Sequence, residues 1–269
     1  MKRWIACLAA CFMMSLVFFQ ACAEQPAWEY PLAPEIIKDA SGYITLTNRD
    51  HLLDSDYVPA DLEYSSVIRA QGTDKMQLRK AANEAIKEMF DAAKKDGYTL
   101  YLKSAYRAYS TQKFMYNDRL EKLKRDDGMV SYPGASDHQT GLGVDILNYE
   151  WTLKDGMNYR FASTAEAQWM ESHCQEFGFI LRYMEDKEEV TQIKFEPWHF
   201  RYVGKEAAAY IMEKHLSLEE FTQEWQAYLE EYKNQGGDFD ALLRERALIN
   251  EGTVVDYADD GEEEISIFY

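Results

Sequence analysis

Short segments with strand character alternate with longer segments of helical periodicity in this chain, and their order limits the folds it can adopt. The strand-like segments are residues 98–104, 141–147, 179–183 and 195–203. The helical segments are residues 75–96, 110–124, 163–178, 204–214 and 217–235. Because the order lacks the regular βαβ spacing of a parallel sheet, it predicts an α+β fold with a mostly antiparallel central sheet flanked by helices.

Polar side chains indicate where three of these helices begin. Ser110 is placed to cap the helix that follows the first strand-like segment. Ser163 with Glu166 and Ser217 with Glu220 have the spacing of a capping box, in which the two side chains accept hydrogen bonds from backbone N–H groups of the first turn. Each pattern predicts a helix that begins directly after its serine.

The first 23 residues have the organisation of an export signal. A positive start, Lys2-Arg3, precedes an apolar run over residues 5–19 and the small residues of Ala21-Cys22-Ala23. The run is shorter than the roughly 20 residues of a membrane span. We therefore expect a cleaved signal peptide, export to the cell-wall or periplasmic side, and no stable membrane insertion afterwards. Two alternatives stay open, which are an uncleaved anchor and lipidation of Cys22.

Cysteine content and charge exclude several kinds of protein. Without the first 23 residues, Cys174 is the lone cysteine, so the exported chain has no internal disulfide framework. Cys174 falls in a helical segment, where we expect a small buried apolar residue. The formal net charge is -18, which makes a nucleic-acid partner improbable.

Two segments contain the side chains that could perform chemistry, residues 136–145 and 195–201. Together they offer His138, Asp145 and His199 as metal ligands. Three protein ligands and one open position are typical of a catalytic zinc site, whereas a structural site is closed by four ligands and is usually rich in cysteine. Spacing alone leaves open that these are ordinary histidines with satisfied hydrogen bonds.

Four segments resemble the signatures of VanY-type D-alanyl-D-alanine carboxypeptidases, in the family's order. Residues 136–145 resemble S-x-H-x-x-G-x-x-x-D, and residues 196–199 resemble E-P-W-H. Residues 104–112 are similar to S-G-Y-R-S-x-x-x-Q, and residues 178–183 match a stretch that precedes the last ligand. The similarity spans roughly residues 43–216.

The resemblance implies the fold of the lysostaphin, D-Ala-D-Ala and hedgehog-type metallopeptidases. It implies one zinc ion held by His138, Asp145 and His199, with Glu196 as the general base and then the general acid. The implied activity is removal of the C-terminal D-alanine from peptidoglycan stem peptides. Two alternatives remain, an L,D-carboxypeptidase that acts on tetrapeptide stems and a non-catalytic wall-binding protein on the same fold.

The resemblance also implies a set of substrate-binding residues. Arg107 would grip the terminal carboxylate of the peptide, helped by Gln112 and Ser136. A planar guanidinium can bind a carboxylate through two parallel hydrogen bonds, as an exopeptidase requires. Tyr183 is a candidate for the pocket wall, and a core aromatic is an equal alternative.

The chain departs from the family's pattern at four positions near the site. Ala105 replaces a usual glycine and Ala108 a usual serine, in the segment that contains the arginine. Gly143 stands where alanine is common, and Asp137 where glutamate is common. None of these changes removes a ligand or the base. They make the substrate preference harder to predict than the metal site.

The sequence divides into four regions on this reading. After the signal peptide, residues 24–42 are expected to be an irregular leader, and residues 43–216 the zinc carboxypeptidase domain. Residues 217–269 form a helical and acidic C-terminal extension beyond the part that resembles the family. The sequence leaves the role of this extension and the oligomeric state open.

Overall fold

The computed structural model describes residues 25–154 and 157–250. The expected signal peptide and the acidic cluster at residues 256–264 lie outside the described residues. Among the helices of the described part, none combines the length and the apolar character that crossing a membrane requires.

The strands of the described residues form two antiparallel sheets. The strands are β1 (Leu62–Tyr64), β2 (Gln77–Arg79), β3 (Leu100–Ser104), β4 (Gly143–Asn148), β5 (Phe179–Leu181) and β6 (His199–Tyr202). β1 pairs with β2, and the other strands form a four-stranded sheet in the order β3-β4-β6-β5. All pairs within these sheets are antiparallel, which confirms the predicted α+β fold with its antiparallel central sheet.

Helices surround this sheet. They are α1 (Pro34–Lys38), α2 (Lys80–Lys95), α3 (Tyr109–Leu123), α4 (Tyr149–Thr152), α5 (Ala165–His173), α6 (Glu188–Thr191), α7 (Lys205–Glu213), α8 (Leu218–Asn234) and α9 (Phe239–Asn250). Short 3₁₀ helices lie at Asp137–Thr140, Tyr159–Ser163, Cys174–Phe177 and Glu185–Lys187. The predicted helical and strand-like segments correspond to α2, α3, α5, α7, α8 and the four strands of the larger sheet.

The helix starts follow the sequence prediction in one case of three. α8 begins with the predicted capping box of Ser217 and Glu220. α5 begins one residue later than predicted, because the 3₁₀ helix before it ends at Ser163; Thr164 is the N-cap and accepts a hydrogen bond from the backbone N–H of Ala167. The Ser110 prediction is also wrong.

The start of α3 is determined by backbone contacts rather than by a cap. Its N-cap residue is Ala108, and no side chain caps it. The backbone N–H groups of Tyr106 and Arg107 donate to the carbonyls of Gln77 and His138. These bonds hold the chain immediately before the helix, so Ser110 falls inside the first turn.

The main core lies between α2 and the central sheet. α2 is amphipathic, and its Ala82, Ile86 and Met89 recur at helical spacing and are fully buried. They share one apolar cluster with Val144 and Ile146 of β4, a strand in which every residue is buried. Burial of a large aliphatic side chain stabilises a fold by about 1.5–3 kcal/mol. Cys174 belongs to this cluster and is fully buried, as predicted.

A second core joins both ends of the described chain. Tyr30, Leu32 and Ile37 from the N-terminal segment pack with Ile211 of α7 and Phe221 of α8. The carboxamide oxygen of Gln25 also accepts hydrogen bonds from the Tyr232 hydroxyl and the Asp238 backbone N–H. The segment expected to be an irregular leader therefore contains α1 and contributes buried side chains to this core.

Candidate active site

Strand register brings two of the predicted ligands together. Asp145 of β4 lies directly opposite His199 of β6 in the antiparallel pair. The 3₁₀ helix before β4 places His138 beside them, with Nε2 of His138 3.3 Å from Oδ2 of Asp145. Nδ1 of His199 lies 3.1 Å from Oδ1 of Asp145. One ligand atom from each residue lies within 4.8 Å of the others, and all three residues are buried.

The imidazole of His138 is oriented by the backbone. Its Nδ1 lies 2.7 Å from the carbonyl oxygen of Ala105. A carbonyl only accepts, so Nδ1 carries the hydrogen, and Nε2 is left as the ring nitrogen on the side of the ligand cluster. Metal-binding histidines usually have such a partner on the other ring nitrogen. Ala105, a departure from the family pattern, contributes through its main chain.

Glu196 faces the same cluster from the turn before β6. Its Oε2 lies 3.5 Å from Nδ1 of His199. Burial raises the pKa of Glu196 to about 8, and the negative charge of Asp145 contributes in the same direction. A carboxyl group with this pKa can accept and release a proton near neutral pH.

The electrostatics of the ligands follow from burial and from their charged neighbours. Burial would raise the pKa of Asp145, but the imidazoles of His138 and His199 outweigh it and hold that pKa well below its usual range. Burial and the Arg107 guanidinium lower the pKa of His138. For His199, burial lowers the pKa, but the carboxylates of Asp137 and Asp145 outweigh it and raise the value to about 9.

Arg107 lies at the edge of the cluster and is held by its neighbours. Its guanidinium donates to Oγ of Ser104 at 2.9 Å and to Oε1 of Gln112 at 2.8 Å. Gln112 in turn donates to the carbonyl of Ser131 at 2.7 Å. One guanidinium nitrogen of Arg107 is 3.9 Å from the Asp145 carboxylate. Gln112 thus contacts Arg107 directly and orients it.

All of the predicted site residues line one cleft. Ser136 and Tyr183 are buried in its wall, and Tyr183 is thereby both a core aromatic and a wall residue. The remaining lining residues were not predicted: Met115, Arg119, Met129, Val130, Ser131, Met157 and Trp198. Several of them come from the loop after α3, where the sequence shows turn residues but no periodicity that would tell which side chains face inward.

Asp137, noted in the sequence only as a departure, has no exposed surface. Its carboxylate forms an ion pair with Arg201 and lies 2.9 Å from Nε of Arg182. Arg182 also forms an ion pair with Glu219 of α8 at 2.8 Å. Sequence reasoning missed this network because its members are far apart in the chain.

Gly143, another departure, lies against Asp137. A Cβ atom added to Gly143 would lie 2.9 Å from the Cβ and the carbonyl carbon of Asp137, and 3.0 Å from the backbone nitrogen of His138. Side-chain atoms do not approach main chain this closely, so glycine permits the 3₁₀ helix to approach β4. That approach places His138 beside Asp145.

Comparison with known proteins finds similar sequences and structures. The family model for VanY, D-alanyl-D-alanine carboxypeptidase, matches residues 75–205. A putative carboxypeptidase of Bacillus subtilis strain 168, YodJ, is 40% identical over 194 residues, which cover 70% of this chain and 69% of the relative. The structure of the LdcB LD-carboxypeptidase matches with a TM-score of 0.61 and 39% identity, over 66% of this chain and 84% of that one.

A second solved structure is similar at lower identity. It is a mutant of the vancomycin resistance D,D-pentapeptidase VanY from a VanB-type resistance cassette, in complex with Zn(II). The match has a TM-score of 0.55 and 31% identity, and it covers 66% of this chain and 98% of that one.

Proposed function

This chain belongs to the VanY family of D-alanyl-D-alanine carboxypeptidases and is a peptide hydrolase; on that premise we propose that it depends on one zinc ion and removes the C-terminal D-alanine from peptidoglycan stem peptides. One observation supports the proposal above the others. His138, Asp145, His199, Glu196 and Arg107 converge in one cleft. Loss of the base would have favoured the non-catalytic alternative, but Glu196 is present and faces the ligands.

The three ligand residues fit a zinc ion by the chemistry of their donor atoms. Two imidazoles and one carboxylate are a combination that zinc accepts, and three protein ligands leave a position free for catalysis. The hydrogen bond from Nδ1 of His138 to Ala105 prepares the ring for metal binding through Nε2. When bound, zinc supplies Lewis acidity toward a carbonyl oxygen and toward water.

Arg107 and Glu196 would perform the other steps. Arg107 binds the terminal carboxylate of the peptide, with Ser104 and Gln112 holding the guanidinium in place. Glu196 takes the proton of the attacking water and later delivers a proton to the amine that leaves. Its pKa of about 8 suits both roles, because it is poised between the charged and the protonated form.

A second candidate activity uses the same residues. The similarity to the LdcB LD-carboxypeptidase favours an L,D-carboxypeptidase, which removes the last D-alanine from a tetrapeptide stem. The two activities differ in the residue that precedes the scissile bond. In this chain the apolar walls of the cleft, which include Met115, Met129, Met157 and Trp198, would contact that residue.

An assay with defined muropeptides distinguishes the two activities. The protein without residues 1–23 is incubated with muropeptides that contain a pentapeptide or a tetrapeptide stem, in the presence of zinc or of a chelator. The products are identified by mass spectrometry. Zinc-dependent loss of one alanine from the pentapeptide supports the D,D activity. Loss of one alanine from the tetrapeptide alone supports the L,D activity instead. If neither peptide loses an alanine, both proposed activities are contradicted.

We also propose that the enzyme acts outside the cytoplasmic membrane, where the peptidoglycan lies, after export directed by residues 1–23. Fractionation of cells that produce the full chain tests this, with N-terminal sequencing of the recovered protein. Cleavage after residue 23 is the expected result, whereas a chain retained in the cytoplasm would contradict the proposal.

A further inference from the structure

The carboxylate of Asp137 is buried between two buried arginines directly behind the metal ligands. Its Oδ1 accepts from Arg201, and its Oδ2 accepts from Nε of Arg182 at 2.9 Å. The side chains of all three residues have no exposed surface. A charged carboxylate in such a place is stabilised only by close, well-oriented partners.

The two arginines are themselves fixed by segments outside the central sheet. Arg182 donates to both oxygens of Glu219, at the start of α8, at 2.8 Å each. Arg201 donates to the carbonyl oxygens of Tyr43 and Thr45 at 3.1 and 2.9 Å. The two positive and two negative charges balance, so the position of the Asp137 carboxylate is determined from several sides.

His199 presents one ring nitrogen to the ligand cluster and the other to Asp137. Nδ1 faces Asp145 and Glu196 at 3.1 and 3.5 Å. Nε2 is buried, has no hydrogen-bond partner among the described residues, and lies 3.8 Å from Oδ2 of Asp137. A neutral imidazole that binds a metal through Nδ1 must carry its hydrogen on Nε2.

We propose that Asp137 is a positioning residue whose carboxylate attracts the Nε2–H of His199, which faces it across 3.8 Å, and thereby directs Nδ1 of that ring to the metal. The inference rests on the proposed zinc site and adds a residue to it. It gives the buried network a function beyond charge balance.

Asp137→Asn tests the proposal, because an amide cannot replace the carboxylate in every contact. Whichever way the amide is turned, its NH₂ group faces either Arg201 or the side shared by Arg182 and His199. Glu219→Gln is the matched control, since it makes the same change in the same network but leaves the group that faces His199 intact. For each purified protein we would measure the zinc dissociation constant by competition with a chromogenic chelator, and the urea stability of the zinc-free form.

The expected result is a zinc dissociation constant 10- to 100-fold higher in Asp137→Asn, the usual effect of removing a partner of a ligating histidine. The zinc dissociation constant of Glu219→Gln should stay within about threefold of the wild-type value, even if this variant is less stable to urea. Unchanged affinity in Asp137→Asn, or equal losses in both variants, would overturn the proposal. Wild-type protein that binds no zinc would instead refute the proposed metal site itself.

A measurement on the wild-type protein keeps the test decisive if Asp137→Asn does not fold. The nitrogen-15 chemical shifts of the His199 ring in the zinc-loaded protein report which nitrogen carries the hydrogen. We expect a hydrogen on Nε2 that exchanges slowly with water. A hydrogen on Nδ1 would show that His199 binds zinc through Nε2, and Asp137 could not then have the proposed role.

Discussion

At the scale of single residues, the two carboxyl groups that face the ligand cluster have opposite tendencies. Burial and the charge of Asp145 favour the protonated form of Glu196, whereas the imidazoles around Asp145 favour its charged form. Two acids whose surroundings move their pKa values apart typically divide the roles of proton carrier and fixed charge. Glu196 is therefore the side chain expected to transfer protons, and Asp145 the one expected to stay charged and bind the metal.

Glu196→Gln should lower kcat by about 10²- to 10⁴-fold, the range of contribution of a general base. The amide keeps the shape of the side chain but cannot accept the proton. Zinc affinity should change little, because Glu196 is not among the three ligands. Steady-state kinetics and chelator competition measure the two effects, with Glu189→Gln at an exposed position as the control. A variant that retained a near-normal rate would remove Glu196 from the mechanism.

Arg107→Ala should lower kcat/KM by about tenfold to 150-fold, which corresponds to the roughly 1.5–3 kcal/mol of a charged hydrogen bond. The kcat/KM of Arg107→Lys should lie between the values of Arg107→Ala and the wild type, because lysine keeps the positive charge but lacks the planar guanidinium group. The sharpest control is a peptide with an amidated C-terminus. Wild type should discriminate strongly against it, and Arg107→Ala should not. Equal discrimination by both enzymes would show that a group other than Arg107 binds the terminal carboxylate of the peptide.

At the scale of elements, the sequence predicted the longer helices and the strands of the central sheet because their periodicity reflects burial. β4 was recognisable as a buried strand since its residues are apolar apart from the site residue Asp145 and the terminal Asn148. The short strands β1 and β2 and the helix α1 were not predicted, because three to five residues contain too little periodicity. The ligands could be predicted from their motifs, but the positions of Asp137 and its arginine partners depend on tertiary contacts between distant segments.

Helix capping gives a prediction at this scale. Thr164→Ala should lower the free energy of unfolding by about 1 kcal/mol, because the threonine oxygen accepts the backbone N–H of Ala167 at the start of α5. Ser163→Ala should have a much smaller effect, since Ser163 is exposed and its hydroxyl donates to the carbonyl of Arg160. Urea unfolding of both variants measures the difference. The reverse order of effects would place the N-cap at Ser163.

At the scale of the whole molecule, α8 and the N-terminal segment complete the domain that contains the site. They share the second core, and Glu219 of α8 holds Arg182 behind the ligands. We therefore propose that the structural domain extends beyond residues 43–216 in both directions. The family resemblance ended at residue 216, but similarity of sequence is a separate property from cooperative packing.

Phe221→Ala tests this extended domain. Phe221 is fully buried in the second core, so its truncation should lower the free energy of unfolding by about 3–5 kcal/mol. Phe114→Ala is the matched control. Because Phe114 is 72% exposed, this substitution should change the free energy of unfolding by no more than about 0.5 kcal/mol. Activity and helical circular dichroism should be lost together in one urea transition. Activity that survives the loss of α8 structure would show that the helix is a separate unit.

The close contact between Gly143 and Asp137 bears on how this site could have evolved. Both positions depart from the family's common residues, and the Cβ of an alanine at 143 would meet the Cβ of Asp137. Gly143→Ala alone would push the 3₁₀ helix, and with it His138, away from β4. The atoms that this Cβ would meet are the Cβ and main chain of residue 137 and the backbone nitrogen of His138, which an aspartate and a glutamate share. A change of side chain at 137 would therefore not relieve the contact, and position 143 is expected to stay glycine in this arrangement of the site.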